Sequence, residues 1–273
     1  MMRDGGFSSL LPRPSPHLAA PSWVIPGTIY ENCSFLADKV DEVALLFFET
    51  ASSLAYTRQD LPSELADLGL SYHVHLPLDL PWEEGGERVA AICLALMDKT
   101  AFLGAARAVL HPPPAGGDAA RVEEFAAAWQ KSGRATADVL LENIRGNDLS
   151  ELWSCMRDTG LGLCLDLGHM LAYEQVRLQH YILTHLLPED VRPRMVHLNA
   201  PGSGEPGEPP GAHLPLDRLD EYGMALGKAL SFSLSPGGVV VAEFFDWGHV
   251  ERSLPLINQW FCQGATRCDT EQA

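Results

Sequence analysis

The chain has 273 residues, 46% hydrophobic and 20% charged, and its 19 Lys and Arg against 36 Asp and Glu leave a net charge of −17. This composition excludes disordered, collagen-like and coiled-coil chains, and the sign of the charge argues against a nucleic-acid partner, whose phosphates are held by Lys and Arg. The length suits one large domain of the α/β-barrel kind, and carboxylates in excess are what bound divalent cations neutralise.

In chain order, residues 1–22 break into prolines before a signal-peptide core forms and read as an irregular leader. No run of 18 apolar residues follows, so no membrane partner is expected. Residues 23–273 read as a single domain of alternating β and α segments. A weak strand, WVIPGTI, begins at residue 23, and seven stronger ones follow: EVALLFF, YHVHLPL, ARAVLH, DVLLEN, LGLCLDL, RMVHLN and GVVVAEFF. Continuous apolar runs of this kind fit a parallel sheet buried on both faces. Between them, Val89, Ile92, Cys93, Leu96 and Leu103 repeat at helical spacing. Leu149, Leu152, Trp153 and Met156 do so after Asp148 and Glu151, which resemble a capping box. Eight β-α units without a Gly-rich phosphate loop predict a (β/α)8 TIM barrel. The six cysteines, at 33, 93, 155, 164, 262 and 268, form no C-x-x-C and read as reduced core residues of a cytoplasmic protein. The Gly- and Pro-rich stretch 200–215 is a long loop on the catalytic face, too irregular for helix or strand.

Each strand from the third to the eighth ends in a metal-type side chain: His75, His111, Glu142, Asp166 with His169, His197, and Glu243. Residues two apart on a strand share a face, so His73, Leu140, Cys164 and Met195 fill the layer beneath. Carboxylates buried at the ends of apolar strands are costly unless paired or metal-bound, and mixed His and carboxylate sets suit zinc, manganese or iron better than magnesium or calcium. Gly168 is expected to let the chain turn sharply, so that Asp166 and His169 face one cavity. His73, His180, His185 and His249 read as structural.

This series resembles the xylose-isomerase-like barrel superfamily, which includes apurinic-site endonucleases and sugar isomerases and epimerases. The endonuclease-type order runs here as His75, His111, Glu142, Asp166 with His169, His197, His213 and Glu243. Gly211 stands where that family's Asp-x-His motif has its Asp, so a third ion would lack a carboxylate. The phrases NCSFLADKVDEVALLFFE, YHVHLPLDL, LDLGH and HLPLD are most similar to the cobamide-remodelling phosphodiesterases. The resemblance implies a hydrolase with two divalent transition metals (zinc or manganese), and a third ion if the His169 and His213 pair holds one. Glu142 would bridge two ions, one with His75 and His111 and the other with Asp166, His197 and Glu243. Glu142 and Glu243 would be catalytic, Glu243 as proton acceptor.

The small-molecule partner so implied is a cobamide, and Trp82, Phe245 and Trp247, beyond the third and eighth strands, are candidates to stack on it. Asp79 and Asp217 read as orienting partners of ligand histidines or as helix caps. Two alternatives use the same chain. One is a sugar isomerase or epimerase using one metal and a carboxylate or lysine base, although no lysine ends a strand and Lys131 and Lys228 fall in helical stretches. The other is a non-catalytic corrinoid-binding protein.

Overall fold

The computed structural model describes residues 16–114, 118–184, 187 and 192–261. Eight parallel strands close into a barrel in sequence order: β1 (His17–Pro21), β2 (Glu42–Leu46), β3 (Ser71–His75), β4 (Ala108–Leu110), β5 (Val139–Glu142), β6 (Gly162–Asp166), β7 (Pro193–Leu198) and β8 (Val239–Ala242). Closure comes from β1, which pairs with β2 on one side and β8 on the other. The expected TIM barrel is therefore the observed architecture.

The boundary of the first strand differs from the expectation. Residues 17–21, read as leader, form β1, whereas the WVIPGTI stretch bends away into the first helix. The prolines misled because Pro21 ends the strand, a position where the missing N–H costs no ladder bond. Residues 1–15 of the expected leader lie outside the described residues.

Around the barrel run α1 (Ile29–Leu36), α2 (Thr50–Ala55), α3 (Gly86–Thr100), α4 (Ala119–Lys131), α5 (Trp153–Thr159), α6 (Leu167–Ala172), α7 (Val176–Leu183), α8 (Glu221–Ser233) and α9 (Trp247–Phe261). Thr28 and Glu31 close a capping box on α1. The predicted stripe of α3 is buried at Val89, Ile92, Cys93 and Leu96. The helix expected from residue 148 starts only at Trp153. Leu149 has φ +65°, which no α-helix accommodates, and Asp148 accepts from Ser150 N and Oγ in a local turn instead of capping. Leu149, Leu152 and Met156 are nonetheless buried, so the apolar spacing reported burial correctly and helix start incorrectly.

Ala19, Ala44, Val109, Leu140, Cys164, Met195, Val239 and Val241 fill the barrel interior. Beneath them, at the amino-terminal end, buried Glu42 takes hydrogen bonds from His73 Nδ1 and Arg107 Nη2, each at 2.6 Å. His73 is thus structural, as expected. This closed lower end leaves the carboxyl end of the barrel for chemistry. Cys33, Cys93, Cys155 and Cys164 are buried and unbonded to one another; Cys262, Cys268 and His185 lie outside the described residues. Among the described residues no helix is long and apolar enough to cross a membrane.

Candidate metal centre

All eight predicted ligands meet at the carboxyl end of the barrel. His75, Glu142 and Asp166 are the last residues of β3, β5 and β6, His111 and Glu243 follow β4 and β8 directly, His197 is the penultimate residue of β7, and His169 sits in the first turns of α6. His213 arrives from the loop after β7. That loop is not formless: Ala200 and Leu214 exchange two backbone bonds of 2.8 and 2.9 Å, and Gly202 N reaches Pro210 O. The paired ends bring His213 back until its Nε2 lies 3.4 Å from Glu243 Oε2.

Glu142 is the hub. Its Oε2 lies 3.2 Å from His75 Nε2 and 3.1 Å from His111 Nε2, and its Oε1 lies 3.0 Å from His197 Nδ1. Glu243 Oε1 stands 3.2 Å from the same His197 Nδ1. Two groups bring their ligand atoms within 4.8 Å of one another: His75, Glu142, His197 and Glu243, and Asp166, His169 and His213. Asp166 thus sits nearer the His169 and His213 pair than the resemblance implies. Its carboxylate is turned toward α6, accepting from His169 N through Oδ1 and from Asn199 Nδ2 through Oδ2 at 2.9 Å.

A second layer holds these groups in place. His75 Nδ1 donates to Leu76 O and His169 Nδ1 to Asn143 O, which fixes each tautomer. Asn143 also accepts from Asp166 N and donates to Gln175 Oε1. The expected role of Gly168 needs correction. It lies in the first turn of α6 with no left-handed backbone, and its bare Cα makes room for Asn199, whose Oδ1 would meet a Cβ there at 1.6 Å.

The donor set fits cations. Glu142, Asp166 and Glu243 are all buried, and the ion-pair partners that the structure gives them are histidines. His75 Nδ1 already donates to a carbonyl, so its Nε2 turns an acceptor lone pair toward Glu142 unless it binds a proton or a metal ion. The electrostatics agree. Burial opposes charge on His197, but Cys164, Glu243 and Glu142 raise its pKa well above the usual histidine range. His169 and His213 are also raised against burial, chiefly by Asp166 and Glu243 respectively. Burial would raise Glu142 and Glu243, yet the surrounding histidines hold both well below the usual carboxylate range. Burial drives Asp166 up to about 6 and lowers His111. A centre that must gather protons onto histidines to balance its carboxylates is suited to exchanging them for divalent ions.

Above the ligands opens a pocket of about 90 Å³, lined by His75, His111, Glu142, His169, His213 and Glu243 and capped by Leu46, Phe47, Phe48, Leu78 and Phe245. Of the three aromatics expected to stack on substrate, Phe245 lies on this wall, its ring 4.7 Å from that of His213. Trp82 is buried, packed against Phe125, with its indole N–H on His111 O, so it supports a ligand from behind. Trp247 meets Phe35 edge-on at 5.2 Å, outside the pocket wall. Asp79 accepts from Thr50 N and Oγ1 at the start of α2, and Asp217 grips Arg252; neither pairs with a ligand histidine, and the cap of α8 is Asp220. Lys131 and Lys228 lie on α4 and α8. Phe48, Leu78 and Asn199 carried no sequence signal beyond apolar or polar character after a strand.

No protein-family model matches the chain, and no curated protein does. Solved structures share its fold. A D-tagatose 3-epimerase-like protein superposes with a TM-score of 0.64 at 16% identity over 89% of this chain and 96% of its own. Endonuclease IV from Thermus thermophilus gives 0.58 at 20% identity over 89% and 100%. The IolI protein, solved with a binding zinc atom, gives 0.60 at 13% identity over 90% and 99%. At such identities the likeness establishes the fold alone.

Proposed function

We propose that the chain is a metal-dependent phosphodiesterase that hydrolyses the phosphodiester joining a corrinoid to its lower-ligand nucleotide, as in cobamide salvage and remodelling. The observation that carries the metal-dependent part is the convergence of Glu142, Asp166 and Glu243, all buried, on five histidines at the catalytic end of the barrel. The ligand order shared with the endonuclease branch supports phosphodiester chemistry, and the phrases NCSFLADKVDEVALLFFE and LDLGH support the cobamide. The acidic net charge weighs against a nucleic-acid substrate. Among the described residues no lysine lines the pocket, so an isomerase or epimerase here would have to use a carboxylate such as Glu142 or Glu243 as its base.

Two divalent ions, zinc or manganese, would be held by His75, His111, Glu142, Asp166, His197 and Glu243, and would supply Lewis-acid activation of water and neutralisation of charge at the phosphate. Glu142, central to three histidines, would join the two halves of the centre. Glu243 borders the pocket, where its carboxylate would accept the proton of the attacking water as the water oxygen bonds phosphorus. The bond from phosphorus to the leaving oxygen then breaks, and that oxygen takes its proton from solvent at the open mouth. One product is a corrinoid and the other a nucleotide-derived fragment, one of the two keeping the phosphate.

The test is mass spectrometry of products after anaerobic incubation of manganese- or zinc-loaded protein with an adenosyl-cobamide. Cleavage at the phosphodiester, abolished by chelator, is the expected result. An intact cobamide in the presence of bound metal overturns the reading, and turnover of a sugar phosphate in its place would favour the isomerase or epimerase alternative.

A further inference from the structure

The mouth of the pocket is chemically two-sided. The loops after β8, β1, β2 and β3 carry Phe245, Trp23, Phe48 and Leu78, which are 40, 46, 40 and 56% exposed. Trp23 meets Phe48 at 6.2 Å and 88°, Phe48 meets Phe245 at 6.2 Å and 61°, and Phe245 leans on His213 at 4.7 Å. A backbone bond from Leu78 N to Phe48 O ties the third loop to the second. Scattered apolar side chains on a surface need no explanation, but four in succession around one half of a pocket mouth, three of them on its wall, do. Across the barrel, the loops after β5 and β6 present Asn147, Asp148, Glu151, Tyr173 and Glu174 around a polar hollow. Leu149 and Glu174 there are the two non-glycine residues with left-handed backbone among the described residues.

We propose that the half-rim of Trp23, Phe48, Leu78 and Phe245 is the seat of the corrin macrocycle, with the phosphate over Glu142 and Glu243 and the nucleoside directed toward the polar hollow. This rests on the cobamide reading. Its own support is that the aromatic series runs unbroken from the rim to a ligand histidine over three ring-to-ring steps, longer than one nucleobase could cover. A sugar phosphate would need hydrogen-bonding side chains in the same place, and this wall offers rings and a leucine. Exposed aromatic faces bury a broad, flat ring at little entropic cost.

The experiment is equilibrium dialysis of cobinamide, the macrocycle without its nucleotide, against wild type, Trp23→Ala and the Trp23→Ala/Phe48→Ala double variant, with unfolding curves as a folding control. Steady-state kinetics on the full cobamide and on methyl p-nitrophenyl phosphate run in parallel. Both substitutions fall at exposed positions, and the single variant leaves the pocket wall untouched. Cobinamide affinity should fall about ten-fold in the double variant and less in the single one. KM for the cobamide should rise several times more than kcat falls, with a smaller rise in KM for the small diester. Cobamide cleavage with unchanged KM in the double variant overturns the seat and leaves the hydrolase standing. Rim-dependent cobinamide binding without cobamide cleavage overturns the hydrolase and leaves the seat. Wild type that binds no cobinamide overturns the seat outright.

Discussion

Asn199 Oδ1 stands 1.6 Å from the point where a Cβ on Gly168 would lie, and the same amide donates to Asp166 Oδ2 at 2.9 Å and toward Glu243 Oε2 at 3.4 Å. The glycine therefore belongs to the metal centre although it carries no ligand. In a helix, Gly→Ala ordinarily stabilises by up to about 1 kcal/mol. Gly168→Ala should do the reverse, destabilising by about 1–3 kcal/mol as Asn199 is displaced. It should also weaken zinc binding about 10- to 100-fold through the lost support to two carboxylates. Denaturant unfolding of the chelated protein and a competitive zinc titration measure the two effects; an alanine variant as stable and as tight as wild type would remove Asn199 from this role.

The sequence was most legible where one physical rule acted alone. His75, His111, Glu142, Asp166 and His197 were readable because a polar residue closing an apolar strand has few other reasons to be there. Trp82 was misassigned because position after a strand does not tell a pocket wall from the packing behind it, and its indole turned inward to His111 O. Asn199 and Gly168 could be understood only together, since the requirement at one is created by a side chain 31 residues away. Glu42 went unnoticed because its partners His73 and Arg107 come from other segments. The helix at residue 148 was lost to a left-handed Leu149, a conformation no apolar periodicity reports.

Glu142→Gln keeps the shape of the hub and removes its charge. Three histidine nitrogens face this carboxylate, so the variant should lose at least one tightly held metal equivalent and lower kcat by at least about 100-fold, since even outer partners of metal ligands are worth 10- to 100-fold. Metal analysis of the desalted variant beside its turnover is the check. Full metal content with near-normal turnover would dismantle the bridging scheme.

Acidity should act on the metal-free and metal-loaded proteins in opposite senses. In the metal-free protein His169, His197 and His213 have raised pKa values, so the stability they lend is fully present below about pH 6.5 and is lost as pH climbs through their folded values. Asp166, raised to about 6, adds a penalty that sets in between about pH 3.9, its unfolded value, and about 6. Chelated protein should therefore melt at a lower temperature at pH 9 than at pH 6. Ions displace the histidine protons, so zinc or manganese should bind more tightly as pH rises and release protons on binding. Calorimetry in buffers of different ionisation enthalpy counts those protons, and a count of zero would mean that the histidines are neutral before the metal arrives.

The pairing of Gly211 with Tyr173 bears on how many ions the centre holds. A Cβ at position 211 would meet Tyr173 Oη at 2.7 Å but Cζ only at 3.9 Å, and the phenol ring lies 5.6 Å from that of His169. The space a carboxylate would need beside His213 is thus taken by a hydroxyl, and Asp166, the one carboxylate of that group, would already serve the two-ion centre. Wild type should retain two ions per chain after desalting. Gly211→Asp alone forces its side chain against the Tyr173 hydroxyl and should gain nothing. Tyr173→Phe removes that oxygen and leaves carbon at ordinary contact distance, so the Tyr173→Phe/Gly211→Asp double variant should retain a third ion while Tyr173→Phe alone still retains two. Elemental analysis of the four proteins reads this directly. Three ions in wild type would mean that the tyrosine hydroxyl does not close the third position, and two in the double variant would mean that a carboxylate at 211 is not what the position lacks.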